Sequence, residues 1–159
     1  MKLIKLFLGT AGALLMVACS SAPVETSPDD SNWRLRNFLD NGLAETIRVY
    51  NFCYQGKPTG FVAARDFEEG SHSIVARITQ DFNNIGSKSL DAYTTLNGDF
   101  EGGKTYVFQN VVEGDEATIW IADIETGEAV TPKEIVKLTI PDVVDNEQYQ
   151  SRRCRASTL

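Results

Sequence analysis

The chain is poor in the residues that carry most metal and acid–base chemistry. It has one histidine and three cysteines among 159 residues. A zinc site built on imidazole, or a Ser-His-Asp triad, has almost nothing to draw on. Positive charge is scarce too, with 15 Lys and Arg against 22 Asp and Glu and a formal net charge of −7. No basic stripe is available to replace counterions on phosphate backbones, which excludes nucleic acid as a partner. The longest uncharged apolar run, Leu6 to Ala18, has 13 residues, short of the roughly 20 that a spanning helix needs. With 42% apolar and 23% charged residues, the composition fits one ordinary globular domain.

The apolar run follows Lys2 and Lys5 and ends in a small residue, Ala18, the pattern of a secretory signal. Met16-Val17-Ala18-Cys19 resembles the bacterial lipobox, with Met16 where Leu is usual. The resemblance implies that Cys19 becomes the mature N-terminus and carries a thioether-linked diacylglycerol and an amide-linked acyl chain. More than one acyl chain gives stable membrane anchoring. Ser20 in place of Asp implies, in Gram-negative lipoproteins, delivery to the outer membrane. The alternative is a plain cleaved signal with Cys19 incidental. Without residues 1–18 the chain keeps 13 basic against 22 acidic residues, a net −9. Ser20–Ser31 (SSAPVETSPDDS) lacks the apolar surface to offset ordering entropy and reads as a flexible tether. The expected organisation is a signal peptide at 1–18, lipidated Cys19 and tether at 19–31, and a domain at 32–159.

A lipidated Cys19 leaves Cys53 and Cys154 in an oxidising compartment, where an even count reads first as a disulfide. Two buried free thiols are the alternative. A nucleophilic Cys53 needs an activating base, and the only histidine is His72, in a strand-like context.

From Asn32 onward, period-two alternation dominates. Runs at Trp33–Phe38, Glu45–Phe52, Gly60–Phe67, His72–Thr79, Leu90–Leu96, Thr105–Val112, Ala117–Asp123 and Glu134–Ile140 read as eight short strands. The expected fold is all-β, a single antiparallel sandwich or barrel. Glu68–Ser71 predicts a hairpin between the third and fourth runs, Asn97-Gly98 a turn, and Glu113–Glu116 the clearest hairpin. In the fourth run Ile74, Ala76 and Ile78 face one way, and Ser73, Val75, Arg77 and Thr79 the other. Asp145–Arg155 is polar and predicts a short helical turn.

Phe67-Glu-Glu-Gly-Ser-His-Ser-Ile74 and Gly102-Gly-Lys-Thr-Tyr106 resemble the turn-and-strand motifs of transthyretin-like or PEGA-like β-sandwich modules in bacterial outer-membrane lipoproteins. Cys53-Tyr54 with Gly56-Lys57 is similar to lipoproteins in which such a Cys-Tyr run meets a C-terminal cysteine. The resemblance covers about Trp33 to Val112. It implies fold and location and brings no catalytic residue.

Candidate sites are few. His72 reads as a strand residue beside a turn. Asp115, Glu116, Glu125, Glu128, Asp142, Asp145 and Glu147 read as a solvated acidic surface, since no calcium-loop spacing is present. Trp33, Trp120, Tyr106, Phe108, Phe61 and Phe67 read as packing more than as a carbohydrate platform. Arg152-Arg153-Cys154-Arg155 is the only basic cluster. It reads as a solvated tail paired with nearby acids, or as a contact for anionic lipid headgroups or peptidoglycan. No cofactor, metal or catalytic residue is implied. The expected role is a lipid-anchored, non-enzymatic binding or scaffolding module for another envelope component. Two alternatives stay open: a glycan hydrolase with a carboxylate pair, and a periplasmic inhibitor or immunity protein.

Overall fold

A computed structural model describes residues 26–141 and 147–159. Alternation of large apolar residues with polar ones produces eleven strands among them. In chain order these are β1 (Asn32–Arg36), β2 (Phe38–Asn41), β3 (Glu45–Asn51), β4 (Cys53–Tyr54), β5 (Lys57–Pro58), β6 (Ala64–Glu68), β7 (Gly70–Phe82), β8 (Leu90–Phe100), β9 (Thr105–Glu113), β10 (Glu116–Asp123) and β11 (Glu134–Lys137). A helix α1 (Glu147–Arg153) and a 3-10 turn (Cys154–Ala156) follow. One sheet has the order β11-β10-β9-β1-β6 and the other β2-β3-β7-β8, with β4-β5 as a separate small hairpin. All neighbours are antiparallel except β1 with β9. The fold is an all-β sandwich.

The two sheets face each other across one core. β1 gives Trp33 and Leu35, β7 gives Ile74, Ala76 and Ile78, β9 gives Tyr106 and Phe108, and β10 gives Ile119 and Ile121, all buried. Trp33 is fully buried and stacks on Phe100 with ring centroids 4.1 Å apart. Its indole N–H donates to the Glu68 carbonyl at 2.8 Å, so a large apolar ring is buried with its one polar group satisfied.

Three sequence expectations need correction. β6 and β7 do not form a hairpin: β6 pairs with β1, and β7 pairs with β3 and β8. The chain crosses between sheets at Glu69–Gly70, where Gly70 has φ +135°. Asn97-Gly98 is not a turn but lies inside β8. Gly98 is glycine there because a Cβ would meet the Val130 carbonyl oxygen at 2.9 Å. The run expected from Gly60 becomes a strand only at Ala64, leaving Phe61 in a loop. The Glu113–Glu116 hairpin forms as expected, closed by Gly114 at φ +65°.

Domain contacts begin before Asn32. Pro28 is buried. The Asp29 carboxylate accepts from Ser31 and Asn32, and those hydrogen bonds hold its pKa below the ordinary 3.8. The Gly103 N–H donates to the Asp29 carbonyl at 3.1 Å, and Arg34 donates to the Thr26 carbonyl at 2.7 Å. The segment 26–31 is therefore held on the domain. A Cβ on Gly102 would lie 1.9 Å from the Asp30 carbonyl oxygen. Gly102→Ala is expected to lower stability by about 1–3 kcal/mol, the usual cost of overpacking against backbone, read as a lower urea midpoint at unchanged slope.

Candidate functional site

The outward face of the four-stranded sheet carries polar and aromatic side chains instead of an apolar layer. Register places Tyr50, Arg77 and Tyr93 in one row across β3, β7 and β8, and Arg48, Thr79 and Asp91 in the next. Arg77 donates through Nε (3.2 Å) and a terminal nitrogen (2.8 Å) to one Asp91 oxygen. Its other terminal nitrogen donates to the Tyr50 hydroxyl at 3.2 Å. The ion pair is largely out of water, with side-chain exposures of 20% and 9%. Burial pulls the Arg77 pKa down, but Tyr50, Tyr93 and the hydrogen bonds that Arg77 donates to Tyr50 and Asp91 outweigh it and hold it above the ordinary guanidinium value. Arg77 is a fixed cation at any physiological pH. Beside it, Arg48 bridges Asp81 at 2.5 Å.

This face is partly roofed by the end of the chain. Cys53 and Cys154 are joined in a disulfide across 101 residues, with Cα atoms 5.4 Å apart. Their sulfurs lie in a second small core with Tyr50, Phe52 and Val75, against which Phe61 and Tyr93 pack. The bridge thus holds α1 over the sheet, and Arg153 lies 3.9 Å from the centre of the Tyr93 ring. The Gln55 N–H donates to the Leu159 carbonyl at 2.8 Å, so the last residue is docked as well.

Three depressions on this face share residues. One of about 440 Å³ runs over Arg48, Tyr50, Arg77, Asp81 and Asp91. A second, about 550 Å³, shares Tyr50 and Arg77 with Phe52 and Lys57. The third, about 310 Å³, shares Asp91 with Tyr93, Ile140, Tyr149 and Arg153. Arg77 lines the first two and Asp91 the first and third, so the ion pair links all three.

Other residues singled out from the sequence lie elsewhere. His72 is wedged near Trp33 and Phe100. Its Nε2–H donates to the Glu68 carbonyl at 2.8 Å, and Nδ1 lies 3.2 Å from the Thr158 hydroxyl. The hydroxyls of Ser71 and Ser73 are engaged by Asp99 and Asn97, not by His72, so these residues do not assemble a triad. Asp115 pairs with Lys137 at 3.1 Å, and Glu125 and Glu128 are exposed. Trp33, Tyr106, Phe108 and Phe67 are core, whereas Trp120 faces outward on the five-stranded sheet under Lys133. Arg152, Arg153 and Arg155 do not pair with acids among the described residues. Cys19, Asp142 and Asp145 lie outside the described residues, as does the Glu147 side chain. Among the described residues no cluster of three or more His, Cys, Asp and Glu is placed to hold a metal, and no helix is long and apolar enough to cross a membrane.

The sequence pattern places Arg77 on the face opposite Ile74, Ala76 and Ile78 but does not reveal its partners. The usable signal was a charged residue inside each of two neighbouring strands, Arg77 and Asp91; their meeting depends on register. No protein-family model matches the chain, and no curated protein or solved structure does either.

Proposed function

We propose that the protein is a membrane-anchored periplasmic lipoprotein whose β-sandwich binds another component of the cell envelope without catalysing a reaction. The observation that carries this reading is the outward face of the four-stranded sheet, where the Arg77–Asp91 pair links three adjoining grooves. A preformed polar floor with aromatic walls fits recognition: its donors are oriented before any ligand arrives. The carboxylates there, Asp81 and Asp91, are each engaged by an arginine. A glycosidase pair instead needs one free acid and one free base on either side of a bond, so the geometry favours binding over hydrolysis. The resemblance of Met16–Cys19 to a lipobox supports the anchor. The buried Cys53–Cys154 bridge supports an oxidising compartment.

A photo-cross-linking side chain placed at Thr79, on the floor of the 440 Å³ groove, tests the reading in cells. The expected result is one discrete adduct in the membrane fraction, absent when the probe sits at Gln109 on the other sheet. No adduct at Thr79, or one at Gln109 alone, contradicts it.

A further inference from the structure

Four cations gather where α1 meets β5. Lys57 lies on β5, Arg152 and Arg153 close the last turn of α1, and Arg155 sits in the 3-10 turn. The two elements pack together, and the Cys53–Cys154 bridge ties the start of the β4–β5 hairpin to the residue after α1. Among the described residues none of the four forms a salt bridge, while Arg34, Arg48, Arg77, Lys104 and Lys137 each do. Arg152, Arg155 and Lys57 are exposed. Arg153 rests on Tyr93, with its Nε buried and without a hydrogen-bond partner. In a body with net charge −9, acids are plentiful, so four neighbouring cations without carboxylate partners among the described residues give the folded state repulsion. A ligand that supplies the missing negative charge accounts for it.

Two exposed apolar groups adjoin the cations. Tyr149 is 39% exposed and Ile140 is 54% exposed, and both line the groove that Arg153 closes. Arginine and lysine beside an exposed tyrosine and an aliphatic chain are the makeup of a surface that rests on lipid headgroups. Position agrees. Only Ser20–Glu25 separates Cys19 from the first described residue, a reach of about 20 Å when extended. A domain held that close keeps one flank against the bilayer.

We propose that the α1–β5 surface, through Lys57, Arg152, Arg153 and Arg155, docks on the anionic phospholipid headgroups of the membrane that holds the lipid anchor. The orientation this gives, with the Arg77–Asp91 grooves set at the bilayer's edge, rests on the anchored reading above. Each cation near an anionic surface strengthens binding about fivefold.

The chain from Ser20 to Leu159, which keeps every strand, the helix and the disulfide and has no lipid, is sedimented with phosphatidylcholine vesicles and with equimolar phosphatidylcholine–phosphatidylglycerol vesicles. Binding to the anionic vesicles alone is expected, weakening with salt. The exposed-residue variant Lys57→Gln/Arg152→Gln/Arg155→Gln is expected to bind on the order of a hundredfold more weakly with an unchanged near-ultraviolet spectrum. Lys88→Gln/Lys133→Gln, which removes two cations elsewhere, is expected to bind like the parent. Equal sedimentation with both vesicles, equal binding by the triple variant, or retention on purified peptidoglycan in place of vesicles overturns the proposal. Failure of the anchor is read separately: an unacylated Cys19 with anionic-vesicle binding removes the anchor alone, and an acylated chain whose domain ignores anionic vesicles removes this surface alone.

Discussion

Replacing both Cys53 and Cys154 with serine is expected to lower the unfolding free energy by about 4–5 kcal/mol, the chain-entropy value for opening a loop of about 100 residues. Among the variants considered, this is the largest expected change. The bridge spans 101 residues and is buried with Tyr50, Phe52 and Val75. The helix it holds has only seven residues, too few to be stable alone in water. The loss should therefore be uneven. Amide exchange is expected to speed up first across α1 and the 3-10 turn, and the β7–β8 and β9–β10 pairs should stay protected until global unfolding. Denaturant unfolding of the oxidised parent against the double-serine variant gives the free energy. A change below about 1 kcal/mol would mean that packing, not the bridge, holds the roof over the sheet.

The second large effect is at the floor of the grooves. Asp91→Ala leaves the Arg77 guanidinium, 20% exposed, with the Tyr50 hydroxyl as its hydrogen-bond partner and the Tyr93 and Phe52 rings beside it. Removing one member of a buried ion pair costs about 3–5 kcal/mol, and the remaining access to water places this case near about 3 kcal/mol. Arg77→Met/Asp91→Leu is expected to recover most of that loss, because no charge is then stranded and both replacements fill similar space. A double-mutant cycle measured by urea unfolding gives the coupling. Function should separate from stability here: the double variant folds and yet loses the Thr79 adduct. A stable double variant that keeps the adduct would show that the pair is structural.

The parts of the fold that were legible in the sequence are those decided locally. The β9–β10 hairpin follows from the alternation of Tyr106 and Phe108 with their neighbours, from Ile119 and Ile121, and from a glycine at the tip. The Glu68–Ser71 stretch has the same polar, glycine-containing composition, and composition does not say whether a chain reverses or crosses to another sheet. That is decided by Trp33, which pairs with Phe67 from another part of the chain and draws β6 to β1. Gly98 reads as a turn residue until the Val130 carbonyl is seen beside it. The disulfide was open to cysteine arithmetic because only two thiols remained after Cys19. The groove floor was not, since Arg77 meets Asp91 and Tyr50 from 14 and 27 residues away, and only strand register brings them together.

The intact mass of the protein extracted from its native membrane, before and after reduction, decides whether the sandwich is tethered by lipid in an oxidising compartment. The predicted species begins at Cys19, carries a diacylglycerol and an amide-linked acyl chain, and gains two hydrogens when the Cys53–Cys154 bridge is reduced. A soluble species without acyl groups, whose mass does not change on reduction, would contradict both the anchor and the compartment.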